Sequence, residues 1–290
     1  LRRGQRRWLP YAYLGPALLL FGGFLLYPLA RSVQYSLYSW DGLGASTFVG
    51  LDNYVALVQE EQLRDAFGHA LVLIGFFAVL PLAIGLLLAA VLNRGRVRGL
   101  GLFRTVVFLP QVIAMVVVAV AWRQIYAPEG TLNTVLRAVG LEQLTRSWLG
   151  DYTWTLPAVG MVGTWVQTGL VTVLLLAGMA RLPREQYEAA RLDGAGAVRE
   201  FFSLTLPSIR AEIAVALTLT IVAALKTFDL VYVTTGGGPG TSTTVPAYEV
   251  FQRAFREGAV GSATAIAVTL TVLIFAINLV VNRYVDRVEP

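Results

Sequence analysis

HALVLIGFFAVLPLAIGLLLAAVLNRGRVRG, residues 69–99, decides the class of fold. His69–Leu92 is an almost unbroken apolar run, and the basic loop NRGRVRG at 93–99 closes it. About 20 residues of helix cross the ~30 Å hydrocarbon layer of a membrane, and this run is long enough. A helix buried in a soluble core is usually shorter.

Five further runs have the same character: Tyr11–Leu29, Thr105–Trp122, Thr155–Ala180, Ile213–Tyr232 and Ala259–Val281. The composition agrees. The 290 residues are 56% hydrophobic and only 14% charged, where a soluble chain carries roughly 25% charged residues. The expectation is an all-α polytopic membrane protein with six transmembrane helices in one domain, residues 1–290. The first run follows the basic segment RRGQRR but has no small-residue cleavage pattern at its end, so it reads as a retained helix and not a signal peptide. Pro16, Pro28, Pro81, Pro110, Gly160, Gly163 and Gly169 fall inside the runs and read as kinks, close packing or hinges.

Arginine placement sets the orientation, because cytoplasmic loops carry the excess of basic residues. With the N-terminus inside, fifteen of the 23 basic residues are cytoplasmic. The loop at 93–99 is the cleanest anchor, and both termini face the cytoplasm. Trp122, Trp148 and Trp154 suit an interfacial belt, and NTVLRAVGLEQL reads as a short amphipathic helix on the outer surface. Scattered arginines give no basic face for nucleic acid. There is no Cys and a single His, His69, so a metal centre is not expected.

One charged, glycine-broken segment interrupts the oil: EQYEAARLDGAGAVREFFSLTLPSIR, 185–210. Leu182-Pro183 ends a span and opens a helix. Good helix formers follow to Leu192, then Asp193-Gly194 stops the run. A second short helix, Ala197–Leu204, ends at Leu206-Pro207. Two such helices are weak alone, so the segment reads either as a docking loop or as a loop packed on its own spans.

The spacing Glu188-Ala189-Ala190, Gly194, then Leu204-Thr205-Leu206-Pro207 resembles the EAA loop of binding-protein-dependent ABC importer permeases. Leu204 stands where that pattern usually has Ile. Gly50-Leu51-Asp52-Asn53-Tyr54, Phe108-Leu109-Pro110, Trp165 with Gly169, Phe228-Asp229 and Thr235-Gly236-Gly237-Gly238-Pro239 resemble the MalF/UgpA-type carbohydrate branch. The resemblance implies a MalF/MalG-like bundle in a prokaryotic plasma membrane. It also implies a second homologous permease, two ATPase subunits carrying ATP and Mg, and an external solute-binding protein. Residues 181–210 would then be the coupling loop, with Glu188, Ala189, Ala190, Asp193, Gly194, Leu206 and Pro207 bearing on the ATPase.

Polar groups at membrane depth are candidates for the substrate path: Gln111, Trp165 beside Gln167, Lys226 with Asp229, and Asn278. Each also has a structural reading, a helix–helix hydrogen bond or a local ion pair. Gly236, Gly237, Gly238 and Pro239 are candidates to face the binding protein; as a bare turn they would be flexible. The glycines lack the Gly-Lys-Ser/Thr of a phosphate loop, so no nucleotide site or catalytic residue is expected in this chain. Oligosaccharides, amino sugars and glycerol phosphates are all cargo of relatives of this branch, and a non-transporting membrane scaffold is the rival reading.

Overall fold

The computed structural model describes residues 9–94 and 99–286. Arg2, Arg3, Arg6, Arg7, Arg96, Arg98 and Arg287, used above to set orientation, lie outside the described residues. In chain order the helices are α1 (Leu9–Phe21), α2 (Tyr27–Tyr35), α3 (Asp52–Gln59), α4 (Glu61–Ile74), α5 (Leu80–Arg94), α6 (Leu100–Val112), α7 (Met115–Ile125), α8 (Thr131–Ala138) and α9 (Thr155–Met179). They continue as α10 (Arg184–Leu192), α11 (Ala197–Glu200), α12 (Leu206–Ser208), α13 (Arg210–Leu225), α14 (Asp229–Thr234), α15 (Pro246–Phe255) and α16 (Val260–Asp286). One two-residue hairpin, β1 (Tyr38–Ser39) with β2 (Thr47–Phe48), is antiparallel.

The protein is predominantly helical, with four to six candidate spans. Tyr13–Tyr35, Glu61–Leu92, Thr155–Met179 and Val260–Val281 are long and apolar enough to cross a membrane. Two further candidates are bent pairs. Gly101–Val112 meets Met115–Ile125 at 97°, and Ala197–Ser208 meets Arg210–Leu225 at 70°. The run expected as one span over Thr105–Trp122 is therefore broken: Ile113 and Ala114 take extended backbone, with ψ of 135° and 133°.

The chain meets its prolines in different ways: Pro16 lies inside α1 with no widened turn before it, whereas three others follow one. Five-residue π-helical turns occupy Gly22–Leu26, Gly75–Val79 and Phe201–Thr205. Each ends two residues before a proline: Pro28, Pro81 and Pro207. A proline ring clashes with the carbonyl four residues earlier, here Phe24, Phe77 or Ser203, each inside the widened turn. The extra residue absorbs the clash, and at Pro28 and Pro81 the chain continues past the proline as helix, whereas after Pro207 it runs only to Ser208 before the bend at Ile209. Pro110 has no such turn before it, and its helix stops two residues later, at Val112.

The described residues form two compact units. One runs up to Glu60 and takes in Glu249–Thr269. In it, Gly50 turns the chain at φ +60°. The Asn53 amide then donates to the carbonyls of Ser36 (2.8 Å) and Tyr38 (3.0 Å), and the Tyr54 hydroxyl meets Ser36 Oγ at 2.7 Å. The Gly50–Tyr54 motif is thus a latch that holds the hairpin to α3. Arg253 binds Glu60, Ser262 Oγ (2.8 Å) and Glu249 (3.5 Å). Burial pulls the Arg253 pKa down, but the two carboxylates more than offset it and hold it above its ordinary value.

The second unit comprises Glu61–Tyr248 and the segment from Leu270. α9 is its most enclosed helix and packs on α5, α6 and α13. Glycines permit the approach. A Cβ on Gly163 would lie 2.0 Å from the Phe77 ring, and one on Gly169 would lie 2.1 Å from the Val107 carbonyl oxygen. Close packing is therefore the role of Gly160, Gly163 and Gly169.

Candidate coupling loop and membrane-depth polar groups

Pro183, at φ −61° and ψ 137°, turns the chain into α10. The helix ends in a Schellman motif. Gly194, at φ +76°, donates its N–H to the Arg191 carbonyl (3.0 Å), and Ala195 donates to the Ala190 carbonyl (2.9 Å). A side chain at Gly194 would meet nothing within 4 Å, so backbone conformation alone calls for glycine there. Gly196 leads into α11, where the Glu200 N–H donates to the Gly196 carbonyl at 2.9 Å.

Arg191 clamps the two helices, its Nε donating to Glu200 Oε1 at 2.8 Å. That carboxylate is 4% exposed. Tyr187 Oη meets Thr205 Oγ1 at 3.1 Å, and Phe201 packs into the cluster of Leu92, Leu175, Met179 and Ile209. The expected pair of short helices about a glycine turn is present. Glu188, Ala189, Asp193 and Gly194 are exposed, and Ala190, Leu206 and Pro207 are partly buried. Leu192 (90%), Val198 (71%) and Phe202 (62%) put apolar area on the same exposed segment.

No hydrogen bond joins Gln111, Gln167 and Asn278 to one another among the described residues. Gln111 lies near the end of α6, and its Oε1 is buried with no hydrogen-bond partner. Gln167 is 5% exposed, and its Oε1 is likewise buried and unpartnered. Asn278 donates to the Ile274 carbonyl at 2.9 Å, while its Oδ1 is buried without a partner. Trp165 is 43% exposed and sits edge-on to Trp122 at 5.6 Å. Two residues apart on a helix, Trp165 and Gln167 point roughly 200° apart, so the expected ring-and-amide pair does not share a face.

Lys226 and Asp229 also depart from expectation. They do not lie on one helix: α13 ends at Leu225, and Phe228 sits at φ −132°, ψ −58°. Asp229 instead opens α14, where the helix dipole favours an acid. Both side chains are exposed, and no ion pair joins them among the described residues.

The glycine-rich loop is knotted and not a loose turn. Thr235 Oγ1 and Thr243 Oγ1 meet at 2.8 Å, Thr243 donates to the Gly238 carbonyl at 2.9 Å, and Thr244 donates to Gly237 at 3.3 Å. Gly237 is buried, Gly236 is exposed, and Gly238 and Pro239 are partly buried. His69 Nδ1 lies 2.9 Å from the Thr244 carbonyl, an acceptor, so that nitrogen carries the proton.

Sequence reading missed Asn133, which is 2% exposed. Its amide donates to the carbonyls of Pro128 (3.1 Å) and Arg146 (2.9 Å), and its Oδ1 accepts Trp148 Nε1 (2.9 Å). A lone Asn in a polar loop carries no periodic signal that would single it out.

The family model for the inner membrane component of binding-protein-dependent transport systems matches residues 81–290. The chain belongs to that family. It is an ABC importer permease. This permease is 38% identical over 283 residues to the probable ABC transporter permease YurN of Bacillus subtilis, covering 97% of each chain. It is 36% identical to NgcF of Streptomyces coelicolor, a diacetylchitobiose uptake permease, over 94% of this chain and 81% of that one. Among solved structures it resembles a chain of a bacterial ABC transporter involved in import of the acidic polysaccharide alginate. The TM-score there is 0.84 at 26% identity, over 99% of this chain and 98% of the other.

Proposed function

We propose that this permease imports a carbohydrate handed over by an external solute-binding protein, powered by separate ATPase subunits. The observation that carries the reading is the 184–208 helix pair. It is locked by the Gly194 turn and the Arg191–Glu200 clamp, yet it exposes Leu192, Val198 and Phe202 beside Glu188. Exposed apolar area of this kind marks a protein contact. The two named relatives that handle diacetylchitobiose and alginate support a saccharide cargo.

In this reading Gly101–Val112 with Met115–Ile125 makes one crossing and Arg210–Leu225 another, with Ala197–Ser208 left in the cytoplasm, which gives six spans in a MalF/MalG-like bundle with both termini cytoplasmic. The chain works as one permease domain beside a second, homologous permease. Residues 181–210 seat on an ATPase subunit, with Glu188, Ala189, Ala190, Asp193, Gly194, Leu206 and Pro207 at or behind the contact. ATP and Mg bind on the two ATPases, and the permease itself performs no chemistry. ATPase closure drags the rigid helix pair, and the bent junction at Ile209 passes that movement into α13.

Gln111, Gln167 and Asn278, whose buried acceptor atoms lack donors, are the groups we assign to the path of the sugar hydroxyls. Lys226 and Asp229 mark an exposed lip, and Gly236–Pro239 face the binding protein. The test is reconstitution of the permease with its partners in liposomes. Saccharide should stimulate ATP hydrolysis and enter the vesicles, and Glu188→Ala should uncouple the two. An assembled complex without saccharide-dependent uptake sinks the transport reading. A Glu188→Ala complex that is fully coupled removes only the role of that residue.

A further inference from the structure

A groove of about 720 Å³ opens beside α9 in the second unit. Its aromatic wall is Trp122, Tyr126, Trp148, Trp154 and Trp165, and aliphatic side chains such as Ile84 and Val107 close the far end. Along α9 it runs from Pro157 to Thr168. Eleven steps of helix, from Pro157 to Thr168, rise about 16 Å, close to half of the ~30 Å hydrocarbon layer. The groove therefore starts at the end of a candidate span, Thr155–Met179, and stops near its middle. It is one leaflet deep.

A sugar needs hydrogen-bond partners, and the polar atoms along this wall are largely committed. Thr164 Oγ1 donates to the Phe76 carbonyl at 2.6 Å, and Thr168 Oγ1 donates to Thr164 at 2.7 Å. The Tyr126 hydroxyl donates to the Ala158 carbonyl at 3.2 Å, and Trp148 Nε1 donates to Asn133. What remains facing the groove is mostly carbon and ring face. A full transmembrane helix of a partner would need a seat about twice as long.

The mouth carries a cation. The Arg146 guanidinium lies 4.4 Å from the Trp154 ring centroid and 5.2 Å from that of Trp148. Its Nε donates only to the Leu144 carbonyl, at 3.3 Å, and no ion pair involves it among the described residues. The nearby Asp151 carboxylate is spent on the N–H groups of Thr153 and Trp154. Tryptophan and arginine at the end of a span sit at headgroup level, and a guanidinium is the side chain suited to a phosphate.

We propose that this groove holds an acyl chain of an anionic glycerophospholipid, with Arg146 on its phosphate. Trp165 is then a wall of a lipid site and not a contact for the transported sugar. The inference stands apart from the transport reading, because it needs only the folded permease in a bilayer.

The test is tryptophan quenching by lipids brominated on the acyl chain, with the full permease chain in vesicles, alone and beside a tryptophan-free second permease. A Trp8→Phe, Trp40→Phe background leaves the four groove tryptophans as reporters. Brominated phosphatidylglycerol should quench at about fivefold lower mole fraction than brominated phosphatidylcholine, the factor equivalent to ~1 kcal/mol per basic residue near an anionic surface. Arg146→Gln should remove the headgroup preference, and Met161→Phe, whose ring fills the groove, should weaken quenching of the four. Equal quenching by both lipids, unchanged by Arg146→Gln, means ordinary boundary lipid and overturns the proposal. So does protection from both lipids that appears only when the second permease is present, or displacement of the brominated chain by transported saccharide.

Discussion

Gly194→Ala isolates the backbone term in the coupling loop. At φ +76° an L-residue costs ~1–2 kcal/mol relative to glycine. No atom within 4 Å of the added methyl complicates the figure, so contact loss contributes nothing. The whole cost falls on the Schellman turn, whose two hydrogen bonds run from Gly194 to Arg191 and from Ala195 to Ala190. Local opening of that turn should become about 5- to 30-fold more frequent, since 1.4 kcal/mol is about a factor of ten. Hydrogen exchange on a peptide covering 184–196 reads this directly. Exchange at Ala195 should accelerate by that factor, while peptides from α9 stay unchanged. Gly194→Asn should cost less, because Asn tolerates the left-handed region. Unchanged exchange in Gly194→Ala, or an Asn variant as damaged as the Ala variant, would refute the argument that backbone geometry fixes this glycine.

Asn133→Ala should lower stability by ~1–3 kcal/mol, because it strands the Trp148 indole N–H and two carbonyls; thermal unfolding followed by tryptophan fluorescence measures the shift. Gly169→Ala drives a methyl into the Val107 carbonyl and should cost ~1–3 kcal/mol in the same assay, whereas Gly15→Ala, with nothing within 4 Å, should leave the transition in place. The Asp41 carboxyl accepts the N–H groups of Gly44 and Leu43, which hold its pKa below the usual carboxylate value. The Asp41 contribution to the 38–48 hairpin is thus present above the ordinary carboxylate pKa and lost as pH falls through the lowered one. Limited proteolysis of that loop should accelerate on acidification, and Asp41→Asn should flatten the dependence.

Span positions were legible because hydrophobicity is additive along the chain. His69–Leu92 and Thr155–Ala180 need no partner to be recognised, and α10 announces itself through Pro183, its helix formers and Gly194. The break at Ile113–Ala114 was not legible. Val112, Ile113 and Ala114 are as apolar as their neighbours, and Pro110 does not announce whether a widened turn will precede it, as one precedes Pro28 and Pro81. Pro28 and Pro81 misled in the other direction, since they read as kinks until the widened turns before them are seen, and Pro207, read as the end of a short helix, lies one residue before that end. Pairing Trp165 with Gln167 failed for a geometric reason: nearness in sequence is not a shared face on a helix. The Lys226–Asp229 pair failed because three-residue spacing means contact only while the helix lasts. The helix, glycine turn and helix after Pro183 were legible from spacing; the Asn133 hub, which depends on carbonyls as far away as Arg146, was not.

The threonine-tied loop at 235–244 bears on the thermodynamics of recognition. Ordering a floppy segment at an interface costs roughly 0.5–1.5 kcal/mol for each rotamer-rich side chain immobilised. Here Thr235, Thr243 and Thr244 already have their hydroxyls fixed by one another and by the glycine carbonyls. That entropy is surrendered during folding, before any partner arrives. A protein meeting this surface would gain affinity without the loop contributing a single additional contact, and its association would carry a smaller entropic penalty than an unstructured glycine run of the same length would impose.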